Sequence, residues 1–426
     1  MLYSAFEFGY AAMTPARLAA GFGAKFWRSP VNPLADTWVA RASAAALDVF
    51  ENATRRYPKP AWEIDETLVA GTAVPVSIET VAEKSFARLL HFRRDERALR
   101  AARGAGHRDP TTLIIAPLSG HYATLLRGTV EAMLPGHDVY ITDWTNARNV
   151  PVSAGRFDLN DFVDYLVEFL EAIGPGTHAI AVCQPGPALL AAAALMSEDE
   201  NPCRPASITI MGSPIDARRS PTVPNLLAQE RKFDWFERNM IYTTPAPYPG
   251  VMRRVYPGFV QLYSFLSMNH DRHLNAHYDY FNHLVEGDGD GADKHRSFYD
   301  EYLSVLDLTE EFYLQTIREV FQEFSLAEGN FLHRGRRVRP EAITDIALMT
   351  VEGENDDISG IGQTQAAHDL CVNIPAEMKF DYIQPGVGHY GVFNGSRWRT
   401  EIQPRLAKFI LEHDRRAGPA FAEAAE

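Results

Sequence analysis

Cysteine is scarce: the 426 residues hold three, Cys183, Cys203 and Cys371, at no paired spacing. A sparse, odd set fits a reducing compartment better than a disulfide framework, so a cytoplasmic setting is expected. Basic residues are also short, with 41 Lys and Arg against 55 Asp and Glu and a net charge of −14. Phosphate contacts need basic patches, so nucleic acid is not expected as a partner. No run reaches the roughly eighteen uncharged apolar residues of a membrane-spanning helix. The start, Met1-Leu-Tyr-Ser-Ala-Phe-Glu7, has neither the basic head nor the apolar core of a secretory leader. No internal repeat is evident. What is present is ordinary for a globular protein, 46% hydrophobic and 23% charged residues. The length suffices for one large domain with an insertion, or for two domains.

The chain changes character twice. Residues 1–60 carry helical signals, Ala16–Trp27 among them, broken by the Pro-containing stretch Arg28-Ser-Pro-Val-Asn-Pro-Leu34, and residues 1–109 as a whole are read as a helical and extended region packing on a core. From Pro110 strands and helices alternate. Strands are expected at Thr112–Ala116, Asp138–Thr142, His178–Val182, Ser207–Met211, Ile346–Val351 and Lys379–Gln384, with helices such as Leu159–Ala172 between them, which implies a mostly parallel sheet. This core is assigned to residues 110–213 and 344–426. Between Met211 and Ile343 the alternation stops. Residues 214–343, dense in aromatics, Asn and His, read as helices and loops that would form a cap over the C-terminal strand ends. The acidic run Glu286–Asp293 lacks calcium-ligand spacing and is read as a solvated loop.

The chemistry is concentrated at three strand ends. Ala179-Ile-Ala-Val182 runs into Cys183-Gln-Pro-Gly186 and then an Ala/Leu helix. A polar side chain at a sharp strand-to-helix turn is where an α/β-hydrolase lifts its nucleophile clear of the sheet, although the usual glycine two residues earlier is absent here. Downstream, Ala347–Val351 runs into Glu352-Gly-Glu-Asn-Asp-Asp357, and Phe380–Gln384 into Pro385-Gly-Val-Gly-His-Tyr-Gly391. Nucleophile, acid and histidine in the order Cys, Asp, His match the hydrolase order. Hence the expected fold is an α/β-hydrolase with a large, mainly helical cap insertion.

His389 is assigned to take the Cys183 proton and later protonate the leaving group, with glycines at 386, 388 and 391 giving the ring room. Glu352, Glu354, Asp356 and Asp357 compete to orient it. Asp356 is favoured, in a turn begun by Gly353, and Asp357 is the runner-up. One oxyanion donor should be the Gln184 N–H, and the other should come from Pro117-Leu-Ser-Gly-His121, with Ser119 chosen and Leu118 the alternative. His121 is expected to shape the substrate pocket. Asp143 and Trp144, at a strand end, are expected to shape its floor. His270, His273 and His277 would share a helix face, but no carboxylate is assignable beside them, so no metal is expected.

Several longer blocks resemble the intracellular poly(3-hydroxybutyrate) depolymerase family, cysteine-nucleophile α/β-hydrolases related to polyhydroxyalkanoate synthases. They include Thr54-Arg-Arg-Tyr-Pro-Lys-Pro60, Val182-Cys-Gln-Pro-Gly186, Asp288-Gly-Asp290, Phe298–Tyr302 and Phe312–Thr316. The longest are Val351-Glu-Gly-Glu-Asn-Asp-Asp-Ile-Ser-Gly360 and Val387-Gly-His-Tyr-Gly-Val-Phe-Asn-Gly395. The family's catalytic roles fall on Cys183, Asp356 and His389. The resemblance implies hydrolysis of 3-hydroxyacyl esters in a stored polyester through an acyl-cysteine, releasing 3-hydroxybutyrate and oligomers, with no cofactor. It implies the amorphous storage granule as substrate and location. Granule-associated proteins, coenzyme A as an acyl acceptor, and a homo-oligomer are left open as partners. The rivals are a synthase, from whose pattern Ala181 and Pro185 depart where it has glycine, a thiolytic enzyme releasing 3-hydroxybutyryl-CoA, and a non-catalytic granule-surface protein.

Overall fold

The computed structural model describes residues 2–104, 106–268, 270–286 and 288–414. Three helices open the chain: α1 (Leu2–Ala12), α2 (Thr14–Trp27) and α3 (Trp38–Thr54). Pro15 sits in the first turn of α2, where its missing N–H would have no helical partner, and the Thr37 hydroxyl caps α3 by accepting from the Ala40 amide at 3.2 Å. An antiparallel meander follows, β1 (Glu66–Val69), β2 (Thr72–Glu83) and β3 (Ala87–Arg94). Ala70 and Gly71, both at positive φ, make the two-residue turn between the first pair.

After α4 (Glu96–Arg103) come β4 (Thr111–Ile115), α5 (Arg127–Met133), β5 (Asp138–Trp144), α6 (Leu159–Ile173), β6 (His178–Val182), α7 (Gly186–Glu198) and β7 (Ser207–Met211). An insertion then carries α8 (Val223–Glu230), α9 (Phe233–Met240), β8 (Tyr242–Thr243), β9 (Arg254–Tyr256), α10 (Gly258–Met268), α11 (His270–Glu286), α12 (Gly289–Tyr302), β10 (Leu308–Thr309) and α13 (Glu310–Thr316). It closes with a hairpin, β11 (Leu332–His333) and β12 (Arg336–Arg337). The chain ends through β13 (Ala347–Gly353), α14 (Ala367–Leu370), β14 (Lys379–Gln384), α15 (Gly395–Arg397) and α16 (Gln403–Glu412).

One 9-stranded sheet organises all of this, in the order β1-β2-β3-β5-β4-β6-β7-β13-β14. From β5 across to β14 neighbours run parallel, and the inner strands β4, β6, β7 and β13 are short, buried, mainly apolar runs, as strands covered on both faces require, whereas the edge strand β14 is largely exposed. Helix α7 is apolar all round and is buried from Gly186 to Met196, packed on α6 and the sheet. A parallel sheet with an antiparallel edge, β4 interposed between β5 and β6, and a helical insertion after β7 make this an α/β-hydrolase fold. No helix among the described residues is long and apolar enough to cross a membrane.

Three details differ from the sequence reading. The extended part of residues 1–109 joins the sheet rather than packing on it, because β3 pairs antiparallel with β5 along Ala87–Phe92. The acidic run is not a loop: Glu286 ends α11 and α12 begins at Gly289. The insertion also holds a three-stranded sheet, β10-β9-β8, whose strands of two or three residues are too short to leave a periodic signal.

Candidate active site

Cys183 sits at the end of β6 with φ +66°, a conformation that a residue with a Cβ adopts only where its surroundings enforce it. Its amide donates to the Met211 carbonyl at 2.8 Å, which ties the turn to the end of β7. The sharp turn into α7 demands close approach. A Cβ on Gly186 would lie 2.0 Å from Ser213 Oγ and 2.7 Å from an Ile210 methyl, so glycine is needed there. The close contact that the usual motif solves with flanking glycines is therefore met one residue later, after Pro185.

His389 approaches from the loop after β14. Its Nδ1–H donates to Asp356 Oδ2 at 2.8 Å, and the Cys183 sulfur is its other side-chain partner, leaving Nε2 for the thiol. Asp356 Oδ1 accepts the amides of Ile358 and Ser359, both at 2.8 Å, so the carboxylate is clamped before it meets the imidazole. Burial opposes a charged imidazole here. The Cys183 sulfur and the Asp356 carboxylate overcome it and hold His389 well above the usual imidazole range. The other acids are placed elsewhere. Glu352 is buried and accepts the amides of Gly362, Thr364 and Gln365, Glu354 accepts from Gly386, and Asp357 is exposed.

The loop after β4 passes in front of the turn. The amide of Leu118, the alternative considered above, donates to Gln184 Oε1 at 3.3 Å, while Ser119 lines the same cavity. Gly120, at φ +113°, runs under Gln261, whose carboxamide would lie 2.3 Å from a Cβ there. His121 also lines the cavity. Burial lowers it to about 4, and its Nε2 hydrogen-bonds the Tyr302 carbonyl at 3.0 Å, so it is a neutral wall residue.

Asp143 and Trp144 do not shape the cavity floor. The buried Asp143 carboxylate is paired with Lys59 and with Arg88 (2.6 Å), the residue directly across from it on β3, because a buried charge must be answered. Trp144 stacks on Phe162 at 4.4 Å and donates its Nε1–H to the Ala116 carbonyl at 2.7 Å, bracing the start of the Leu118 loop from behind. The side chains of His270, His273 and His277 lie outside the described residues.

Over Cys183 and His389 lies a cavity of about 210 Å³. Its roof comes from the insertion: Tyr256 and Gln261, then Phe312 to Phe321, where α13 widens into a π-helical turn over Ile317–Gln322. Phe312–Thr316 stands in one of the resemblance blocks, but no residue of this roof was assigned to the site from the sequence. Gly212 was missed too, although it is decisive: a Cβ there would lie 3.2 Å from His389 Cε1 and 3.3 Å from Asp356 Oδ2. Tyr390 and Phe393, which flank the His389 ring edge-on at 6.0 and 5.7 Å, sit in the histidine loop itself. Their nearness to His389 in sequence was a usable signal.

Comparison with known proteins gives a family and distant folds. The chain is similar to a monoglyceride lipase of Saccharomyces cerevisiae, solved as a soluble variant, with 12% identity, 84% of this chain and 99% of that one covered, and a TM-score of 0.47. It is similar to a monoacylglycerol lipase of Paleococcus ferrophilus with 11% identity, coverage of 71% and 94%, and a TM-score of 0.40. For a meta-cleavage product hydrolase of Pseudomonas fluorescens the figures are 14%, 83% and 98%, and 0.38. A search of curated proteins found no match. Residues 212–414, from the glycine beneath the imidazole to the last described residue, match the family described as PHB de-polymerase C-terminus. That stretch, which holds Asp356, His389 and the cavity roof, is similar to the family described as PHB de-polymerase C-terminus.

Proposed function

We propose that this chain hydrolyses ester bonds of a poly(3-hydroxybutyrate)-type polyester through an acyl-cysteine at Cys183. The observation that carries the reading is a thiol at a strained turn, facing an imidazole that is held by a buried carboxylate, beneath an apolar-walled cavity. His389 is placed to take the proton of the Cys183 thiol, and the thiolate so formed is the nucleophile.

The thiolate attacks the ester carbonyl carbon, and the carbonyl π electrons move to oxygen. The Gln184 amide receives that oxygen, with Leu118 the better-placed second donor. The Gln184 side chain has to turn aside first, since its Oε1 accepts that amide in the free protein. Each such donor is worth about 3–4 kcal/mol of transition-state stabilisation. Collapse re-forms the carbonyl and breaks the C–O bond, and His389 gives its proton to the departing alkoxide. A water then loses a proton to His389 and attacks the thioester, which expels the Cys183 thiolate and leaves a 3-hydroxyacyl product as its acid. Asp356 holds the ring's orientation throughout.

The test is mass spectrometry of soluble products released from amorphous polymer, with and without coenzyme A, by wild type and Cys183→Ala. Free 3-hydroxy acids and oligomers from wild type, with a loss on the order of 10⁴-fold or more in Cys183→Ala, are expected. Acyl-CoA products would replace water by a thiol acceptor. Polymer formed from 3-hydroxybutyryl-CoA, or full turnover by Cys183→Ala, would overturn the reading.

A further inference from the structure

Helix α2 turns its apolar side outward. Leu18, Phe22 and Phe26 recur at four-residue spacing and are 58%, 72% and 62% exposed, while Arg17, Ala20 and Ala24 face inward. The inward face is closely fitted: a Cβ on Gly23 would lie 2.8 Å from a Leu47 methyl of α3. The stripe continues through Val31 and Leu34 to Trp38 and Val39 at the start of α3, with Trp38 65% exposed. Scattered exposed hydrophobes need no explanation, but a row of this length marks a surface that meets something apolar.

Charge says what kind of surface. From Phe8 to Ala35 there is no Asp or Glu, only Arg17, Lys25 and Arg28, in a chain of net charge −14. Arg17 is buried on backbone carbonyls and Arg28 pairs with Asp48, while Lys25 is exposed between Phe22 and Phe26. Aromatic and aliphatic side chains around a lone cation are the pattern of a helix that lies in an interface. A second copy is a poor occupant, because a two-fold contact would set this acid-free segment against itself.

The helices are also fastened to the cavity wall. Tyr3 of α1 donates to the buried Asp307 at 2.5 Å, and Phe6 stacks on Phe259 at 4.0 Å. Two residues further on, Gln261 lines the cavity above Gly120.

We infer that the outward face of α2 and the start of α3 is the docking surface by which this protein seats on the water-insoluble polyester, its rings entering the amorphous ester phase and Lys25 meeting carboxylate chain ends. This rests on the function proposed above. The test uses the full chain with Cys183→Ala, so that binding is read without turnover, in co-sedimentation with amorphous polyester particles. Phe22→Ser/Phe26→Ser should weaken binding about 10- to 100-fold and Lys25→Glu should weaken it less. Both changes, placed in the active background, should leave hydrolysis of a soluble 3-hydroxybutyrate oligomer unchanged. Unaltered particle binding by Phe22→Ser/Phe26→Ser overturns the docking surface alone. So does stronger binding to anionic lipid vesicles than to polyester, or a dimeric wild type that these changes make monomeric. Wild type that releases nothing from polymer and ignores the particles overturns the function and the surface together.

Discussion

The floor and the roof of one cavity are built on different principles. The floor is made by strand ends: Cys183 after β6, Asp356 after β13 and His389 after β14, each fixed by backbone hydrogen bonds or tight glycine contacts. The roof is made by the insertion, from Tyr256 to Phe321, and is almost wholly rings and aliphatic chains. A floor of this kind holds reacting atoms within tenths of an ångström. A roof of this kind only chooses what reaches them.

The sharpest way to break the floor is at its acid. Asp356→Asn should cost on the order of 10³–10⁴-fold in kcat, whereas Asp357→Asn, on an exposed side chain, should cost less than about twofold. Equal losses in steady-state kinetics would show that the clamp on Asp356 is not what orients the imidazole. The second break is by pH. His121 and His137 are each lowered by burial from the usual 6.5 to about 4. The unfolded chain binds these protons first, so the neutral rings stabilise the fold fully above about pH 6.5, and this is lost as pH falls towards 4. The loss should approach about 3 kcal/mol for each ring. His121→Asn should shallow that fall in a urea-denaturation series from pH 7 to 4, and an unchanged slope would contradict the assignment.

The third break is subtler. Gly212→Ala places a methyl 3.2 Å from His389 Cε1 and 3.3 Å from Asp356 Oδ2, close enough to shift the pair, and kcat should fall about tenfold, less than the roughly 10²-fold of a full ångström. Unchanged kcat would mean that the ring has room that the structure denies it. The roof should respond differently. Phe321→Ala should raise KM for longer oligomers about tenfold and leave kcat on a short soluble ester within about threefold. A loss confined to kcat would erase the distinction between floor and roof.

The same contrast explains what could be read from the chain. The inner parallel strands are legible because they are mainly apolar runs ended by Pro, Gly or a polar turn, as in Thr111–Ile115 before Pro117. The three residues that meet at the cavity floor follow from their order along those strands. Asp143 and Trp144 were misread because the sequence does not reveal β3 as the neighbour of β5. With Arg88 directly across from Asp143, the carboxylate is already engaged in an ion pair. Leu118 and Ser119 could not be separated, since a one-residue difference in a turn is set by how Trp144 and Gln184 hold it. The roof was legible only as an aromatic-dense insertion, not residue by residue. Its residues run from Tyr256 to Phe321 and meet only through tertiary packing.

The central claim is acyl transfer through Cys183, and covalent capture tests it most directly. Wild type mixed with a soluble 3-hydroxybutyrate oligomer, quenched in acid within one turnover and digested, should carry one hydroxyacyl group on the peptide containing Cys183. That adduct should appear before product and vanish as water releases it. A hydroxyacyl group on any other residue, or product formed with none on Cys183, would contradict the account.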